Sequence, residues 1–218
     1  MKVKDKMNSR VVTVEISSSV NEAFRLMKEN NVRRLPVMDH GRLVGIITLS
    51  DLNHAMPSAA TSLSIHELNY ILAKTTIGDI LPKKQRLITV DADNYIETAA
   101  RLMRDNKISG LPVVEDGKLV GIITETDIFD SLIQILGVTR PHTRIDLFIE
   151  DKPGVLADIT RVFGDRKINI LNTVVYFDER RNLHKAIIRV EELNCQEAVK
   201  ELEEKGYKIE SVLVRSEV

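Results

Sequence analysis

The chain has 218 residues, 31 of them Lys or Arg and 32 Asp or Glu, for a formal net charge of -1, with one Cys and 43% hydrophobic residues. That length suits one large unit or two small ones, at roughly 100–200 residues per domain, and the composition is that of a chain able to bury a core. One Cys excludes an internal disulfide framework and a multi-Cys zinc site, no apolar run reaches the ~18–20 residues of a membrane span, and balanced charge with 4% aromatic residues offers neither the basic face nor the stacking platform of a nucleic-acid binder.

In chain order, residues 1–10 are polar and lack the apolar core of a signal peptide, which points to a reducing cytoplasm. Residues 11–14 are a short β-branched run, read as a strand. Ser19-x-x-Glu22 is a capping signature ahead of Val20, Ala23, Phe24 and Met27 at helical spacing. Residues 35–38 and 43–48 read as strands around Asp39-His40-Gly41, where Gly supplies a positive φ cheaply. Leu35-Pro36 opens the first of them, and Pro fits the start of a strand better than its middle. Residues 57–62 read as loop, and Ser64-x-x-Glu67 starts another helix with Ile65, Leu68, Ile71 and Leu72 on one face.

The series then recurs. Residues 87–90 form a strand, and Asn94-x-x-Glu97 is a second capping signature ahead of Ile96, Ala99, Ala100 and Met103. Leu111-Pro112 opens the next strand, Glu115-Asp116-Gly117 turns it, and a helix over 127–136 stops at Gly137. The offset is constant: 111 − 35 = 76 and 124 − 48 = 76, and Asp51 meets Asp127. A long period present twice is a duplicated module, since solenoids need three or more repeats.

From Thr143 the pattern changes. Residues 144–150 alternate around Ile145, Leu147 and Ile149, a strand. After the turn Asp151-Lys152-Pro153-Gly154, Val155, Leu156, Ile159, Val162 and Phe163 fit one helical face. Residues 168–177 and 184–190 are strands, 195–205 a helix with Asn194 as cap and Gly206 as stop, and 207–214 the last strand. This βαββαβ order is the ferredoxin-like arrangement, an α+β fold with helices on one face of an antiparallel sheet. The other face is open to pairing with a second copy.

The duplicated unit resembles a tandem pair of CBS domains (a Bateman module). The resemblance rests on the two Leu-Pro-Val stretches, on Gly45-Ile46-Ile47-Thr48-Leu49-Ser50-Asp51 and on Gly121-Ile122-Ile123-Thr124-Glu125-Thr126-Asp127. The C-terminal part resembles an ACT domain through Asp151-Lys152-Pro153-Gly154-Val155-Leu156, Phe163 and Ile168-Asn169-Ile170. The implied fold is α+β: a duplicated β-α-β-β-α CBS pair followed by a ferredoxin-like ACT domain. Repeat 1 with a linker helix covers 1–76, repeat 2 covers 77–137 and the ACT-like part covers 142–218. The order CBS, CBS, ACT at this length also resembles proteins of acetoin utilisation, which implies a role in acetoin or butanediol catabolism.

A strand ending in Thr48, followed by Ser50 and Asp51, places hydroxyls and a carboxylate at a helix N-terminus. The carboxylate can accept both hydroxyls of a ribose, and the hydroxyls and first helical N–H groups can donate to a phosphate. Thr124, Thr126 and Asp127 repeat the arrangement. The same residue types also suit plain helix capping. The CBS resemblance implies a ribose on the Asp, phosphates assisted by Ser or Thr, and adenine packed among Val12, Val14, Leu35 and Pro36. It further implies that the residues before Leu-Pro face the phosphates: Arg33 and Arg34 in the first repeat, Ser109 and Gly110 in the second. Arginine forks suit phosphate, so the two sites are unequal. The implied ligand is a regulatory adenine nucleotide, AMP, ADP, ATP or S-adenosylmethionine, with no cofactor required.

The ACT resemblance implies an amino-acid site at a dimer interface, from Asp151, Gly154 and Asn169. The charge of Asp151 would repel a ligand carboxylate, which favours reading Pro153-Gly154 as only a turn. No G-x-x-x-x-G-K-[ST], G-x-S-x-G or H-E-x-x-H pattern occurs. His40, His54, His66, His142 and His184 lack metal-ligand spacing, and Cys195 reads as a small apolar core residue. A non-enzymatic regulator is therefore expected, homodimeric and acting on a protein partner, with no metal, nucleic acid or membrane. Two rivals stand beside it: a dimerisation scaffold with vestigial sites, and an amino-acid sensor.

Overall fold

The computed structural model describes residues 1–56, 64–82 and 86–216, the side chains of Ile65, Leu68 and Asn69 excepted. The loop expected over 57–62 lies outside the described residues. The chain divides into two compact units, Met1–Ile128 and Phe129–Val218.

In the first unit, repeat 1 contributes β1 (Val14–Glu15), α1 (Val20–Glu29), β2 (Arg34–Asp39), β3 (Arg42–Thr48), α2 (Leu49–Ala55), α3 (Ile65–Lys74) and the short α4 (Ile77–Ile80). Repeat 2 contributes β4 (Val90–Asp91), α5 (Ile96–Asn106), β5 (Gly110–Glu115), β6 (Lys118–Thr124) and the start of α6 (Glu125–Leu136). Each repeat has a three-stranded sheet, β1-β2-β3 or β4-β5-β6. The first pair is parallel and the second antiparallel. Both hairpins turn on two residues of positive φ, His40 (47°) with Gly41 (77°) and Asp116 (50°) with Gly117 (75°). That is the type I′ geometry whose twist matches the strands it joins.

Two expectations need correction here. The strands expected over 11–14 and 87–90 start later and are only two residues long. Upstream of the first, Asn8 is already engaged elsewhere, exchanging backbone hydrogen bonds with Ile122 of repeat 2. The second correction concerns capping. Ser19 caps α1 by accepting from the Glu22 N–H at 3.2 Å, but Asn94 does not cap α5. Its N-cap is Tyr95, which makes no side-chain bond; at the repeat offset Ser19 corresponds to Tyr95, since 19 + 76 = 95. The chain itself supplies a partner, as the Ile96 N–H donates to the Met1 carbonyl at 3.1 Å.

That last bond belongs to an exchange. Val3 N–H donates to Asn94 O, and Lys4 N–H to Ala92 O. In repeat 1 the equivalent bonds come from the segment between the repeats: Val20 to Thr75 O, Ile77 to Ser18 O, Gly78 to Ile16 O. Val3 and Ile77 are both fully buried, Val3 in the core of repeat 2 and Ile77 in that of repeat 1. Met7 packs on Gly121, and Leu81 lies 2.9 Å from where a Cβ at Gly45 would stand. The N-terminal segment therefore completes repeat 2, and the segment preceding repeat 2 completes repeat 1. In α3, Ser64 and Glu67 form the expected capping box and Leu72 joins the core, whereas Ile71 is exposed.

The second unit contains β7 (His142–Ile149), α7 (Val155–Asp165), β8 (Ile170–Asp178), β9 (Leu183–Val190), α8 (Gln196–Glu204) and β10 (Lys208–Arg215). The antiparallel sheet has order β10-β7-β9-β8. Ile145, Leu147, Ala186 and Ile188 on its inner face pack against Ile159, Val162, Phe163, Ala198 and Leu202 of the helices. Each such large apolar side chain stabilises the unit by roughly 1.5–3 kcal/mol. Leu156 falls off this stripe and is exposed. Asn194 is not the α8 cap, because Cys195 occupies that position; the thiol is buried and its pKa is raised by burial.

The other face of the sheet carries charge. Arg144 donates to both Asp146 oxygens at 2.7 and 2.8 Å, and Lys185 lies 3.3 Å from the same carboxylate. Lys185 and Arg181 both pair with Glu210. Burial would raise the Asp146 pKa, but the bonds and charges of Arg144 and then Lys185 outweigh it and hold the group below its usual value. A depressed carboxylate contributes stability that is present above its unfolded value, about 3.9, and is lost as pH falls through the folded one. Asp146→Asn is therefore expected to flatten the acid limb of stability against pH, checked by urea unfolding from pH 2 to 7. Phe163→Ala should cost about 3–5 kcal/mol, read as a lower urea midpoint for the second unit.

Candidate functional site

Both predicted hydroxyl-carboxylate motifs form at the strand-to-helix junctions. Thr48 caps α2: its N–H and hydroxyl donate to Asp51 Oδ2 at 2.8 and 2.6 Å, and its Oγ1 accepts from the Asp51 N–H at 3.3 Å. The Thr124 N–H and hydroxyl donate to Asp127 Oδ2, both at 2.7 Å. At α2 the capping role considered from sequence is thus filled by the threonine, with the aspartate as its reciprocal partner. One carboxylate oxygen fixes the junction, and the helix N-terminus beside it favours an anion.

Each junction faces the other repeat. Thr124, Thr126 and Asp127 line a cleft of about 560 Å³ whose opposite wall is Val12, Arg33 and Arg34. Thr48 and Ile46 line a second cleft of about 330 Å³ with Ile88, Lys107, Ser109 and Gly110. The two are equivalents under the internal repeat: Val12 and Ile88 correspond (88 − 12 = 76), as do Arg33 and Ser109 (109 − 33 = 76). Sequence reasoning expects the ligand between the repeats but groups the site residues repeat by repeat, whereas each cleft draws on both. The α2 and α6 N-termini are docked alike, by Leu49 N–H to Arg33 O and Glu125 N–H to Ser109 O.

Of the predicted residues, the first cleft gathers Val12, Arg33, Arg34, Ser109, Thr124, Thr126 and Asp127. Ser50 and Asp51 adjoin Thr48 at the start of α2 without lining the second cleft. Val14, Leu35 and Pro36 line neither cleft: all three are buried, and Val14 and Leu35 belong to the repeat 1 core. The strand alternation that turns Val12 toward the cleft turns Val14 with it only if the strand is regular, and β1 begins at Val14. Residues not anticipated are Asn8, Arg10, Asn31, Ile122 and Glu125 in the first cleft and Arg86 and Lys107 in the second. The offset held a signal for two of them, because Arg86 is the equivalent of Arg10 (86 − 10 = 76).

Arg34 is the centre of the asymmetry. It lines both clefts. Its guanidinium donates across the repeats to the Ser109 carbonyl and, at 2.7 Å, to Ser109 Oγ. A Cβ at residue 110 would collide with that guanidinium, so Gly110 is what makes room for it. Burial lowers the Arg34 pKa, with Glu125 and Asp127 opposing and Arg33 adding to the fall. In the second unit, Asp151 is exposed, 3.9 Å from His184. Gly154 takes φ 90° at the start of α7, and Asn169 donates to Glu191 at 3.1 Å. Among the described residues no group of three or more His, Cys, Asp or Glu is placed to hold a metal ion.

Residues 3–58 and 77–134 match the CBS domain, together just over half of the chain, and residues 143–207 match the ACT domain. A CBS domain-containing protein of Dictyostelium discoideum is 32% identical over 143 residues, spanning 65% of this chain and 97% of its own. An uncharacterized protein of Methanocaldococcus jannaschii is 43% identical over 157 residues, spanning 61% and 92%. Among solved structures, a candidate acetoin utilization protein (AcuB) from Vibrio cholerae is similar, 27% identical with a TM-score of 0.51, covering 63% of this chain and 94% of that one.

The Arg34–Gly110 fit is testable by a double-mutant cycle. Gly110→Ala is expected to cost about 1–3 kcal/mol by displacing a charged hydrogen-bond donor. Adding Arg34→Ala should remove most of that penalty, so the double variant costs less than the sum of the singles in urea unfolding.

Proposed function

The chain belongs to the CBS domain family, and from that premise we propose that it is a regulatory protein whose CBS pair binds an adenine nucleotide. The observation that carries this reading is the first cleft. There the α6 N-terminus, Thr126 and Asp127 face Arg33 and Arg34 across a space of about 560 Å³. Asp127 is the acceptor for the ribose hydroxyls. The arginines and the Thr126 hydroxyl donate to phosphate, where charged forks are strongest. Val12 and Ile122 supply the apolar surface for the base.

A nucleotide held by groups from both repeats favours one arrangement of the pair. A ligand shifts such an equilibrium only by its difference in affinity between two states. We infer that the shift is read by a protein partner or by the ACT domain. A homodimer in the cytoplasm completes the reading. From its fifth residue onward α6 supports the dimer by exposing Phe129, Leu132 and Ile133, an apolar strip of the kind that marks an interface. Similarity to the Vibrio cholerae protein supports a place in acetoin utilisation.

The rival readings, a scaffold with vestigial clefts and an amino-acid sensor, are separated by binding. Calorimetry with AMP, ATP and S-adenosylmethionine is expected to show saturable binding of at least one. Silence at millimolar ligand would leave the scaffold standing. A thermal shift with a free amino acid alone would favour the sensor. Arg34→Ala and Asp127→Asn should each weaken AMP about tenfold or more, the scale of one charge-assisted hydrogen bond. Asn keeps the acceptor that Thr124 needs, so the thermal midpoint of Asp127→Asn should stay close to that of the parent.

A further inference from the structure

Among the described residues, each cleft has two basic residues of its own: Arg10 and Arg33 in the first, Arg86 and Lys107 in the second. Arg34 lines both. Its equivalent in repeat 2 is Gly110 (110 − 34 = 76), so no second arginine answers it. The Arg34 guanidinium bonds to Ser109, which itself lines both clefts, and it occupies the space over Gly110 in the second. On the first side it is within electrostatic reach of Glu125 and Asp127. One cation thus stands at the junction of two sites that are otherwise built alike.

We propose that Arg34 is a shared phosphate-binding group, so that the two clefts compete for it and bind phosphorylated ligands with negative coupling. This rests on the nucleotide reading above. A phosphate in the first cleft draws the guanidinium off Ser109 and toward Arg33. A second phosphate beside Gly110 then meets, among the described residues, only Arg86 and Lys107. A ligand without phosphate makes no demand on Arg34, so adenosine should occupy each cleft independently of the other. Coupling is a free energy between sites and is reciprocal, so it can be measured from the weaker side.

The test is calorimetry of the full chain with AMP, using Asp127→Asn to disable the first cleft. Salt of about 0.5 M brings the Debye length below about 5 Å and screens direct phosphate–phosphate repulsion. AMP should bind the second cleft of Asp127→Asn about tenfold or more tightly than it binds in the second step on the parent chain. A second step too weak to detect in the parent, with binding retained in Asp127→Asn, is the same result in stronger form. In Arg34→Ala the two steps should become independent, and adenosine should show no coupling in any variant. Two independent AMP sites in the parent, coupling that survives Arg34→Ala, or loss of all AMP binding in Asp127→Asn would each overturn the shared-arginine inference while leaving nucleotide binding intact. Absence of AMP binding to the parent would instead remove the nucleotide reading itself.

Discussion

The first unit depends on a backbone exchange. Neither repeat closes its own core from its sheet and flanking helices alone: repeat 2 needs Val3, which enters from the chain's N-terminal segment, and repeat 1 needs Ile77, which opens α4 in the segment before repeat 2. Both side chains are fully buried, and among the described residues five backbone hydrogen bonds hold the N-terminal segment on repeat 2 and three hold the other segment on repeat 1. Such bonds are worth roughly 0.5–1.5 kcal/mol net apiece and the buried side chains somewhat more. Joining the repeats in one chain makes that exchange local, so two small sheets that would each be marginal alone fold as one unit.

The clefts follow from the same constraint. Asn8 extends the N-terminal segment along β6 to reach Ile122, and this carries Arg10 and Val12 to the edge of the first cleft. The Thr-x-x-Asp junctions are rigid because two hydrogen bonds tie the threonine N–H and hydroxyl to one carboxylate oxygen. The ligand-facing groups are therefore presented by elements that are already fixed, and little ordering remains to be done when a ligand arrives. Between the two junctions the Arg34 guanidinium is held by the Ser109 carbonyl and hydroxyl.

Much of this was legible in the sequence. The constant offset revealed the duplication, period-two and helical spacing found the elements, and the Thr-x-x-Asp recurrence located both junctions. What failed has local causes. Asn94 looked like a cap because an acid stands three residues on, but the register of the repeat puts Tyr95 there, and the N-terminal segment supplies the missing hydrogen-bond partner. Val14 and Leu35 looked like ligand contacts because they lie in the right strands; depth below the surface is set by the packing of α1 and α2, which spacing does not encode. Leu156 fitted a helical face that the real helix turns outward. The placing of Arg33 with Thr124, and the reach of Arg34 into both clefts, are tertiary facts, visible only once the two repeats are placed together.

The fit of Arg34 over Gly110 has a consequence for the duplication itself. The two halves have become complementary parts, each shaped to the other at equivalent positions. A tandem of two first repeats would set an arginine on each side of the junction, both reaching for the same space. A tandem of two second repeats would leave glycine facing glycine, with a void and no charge between the clefts. Either symmetric molecule would lose the fit of one arginine over one glycine. The heteromeric character of this pair is thus written into one large residue and one absent side chain, 76 positions apart.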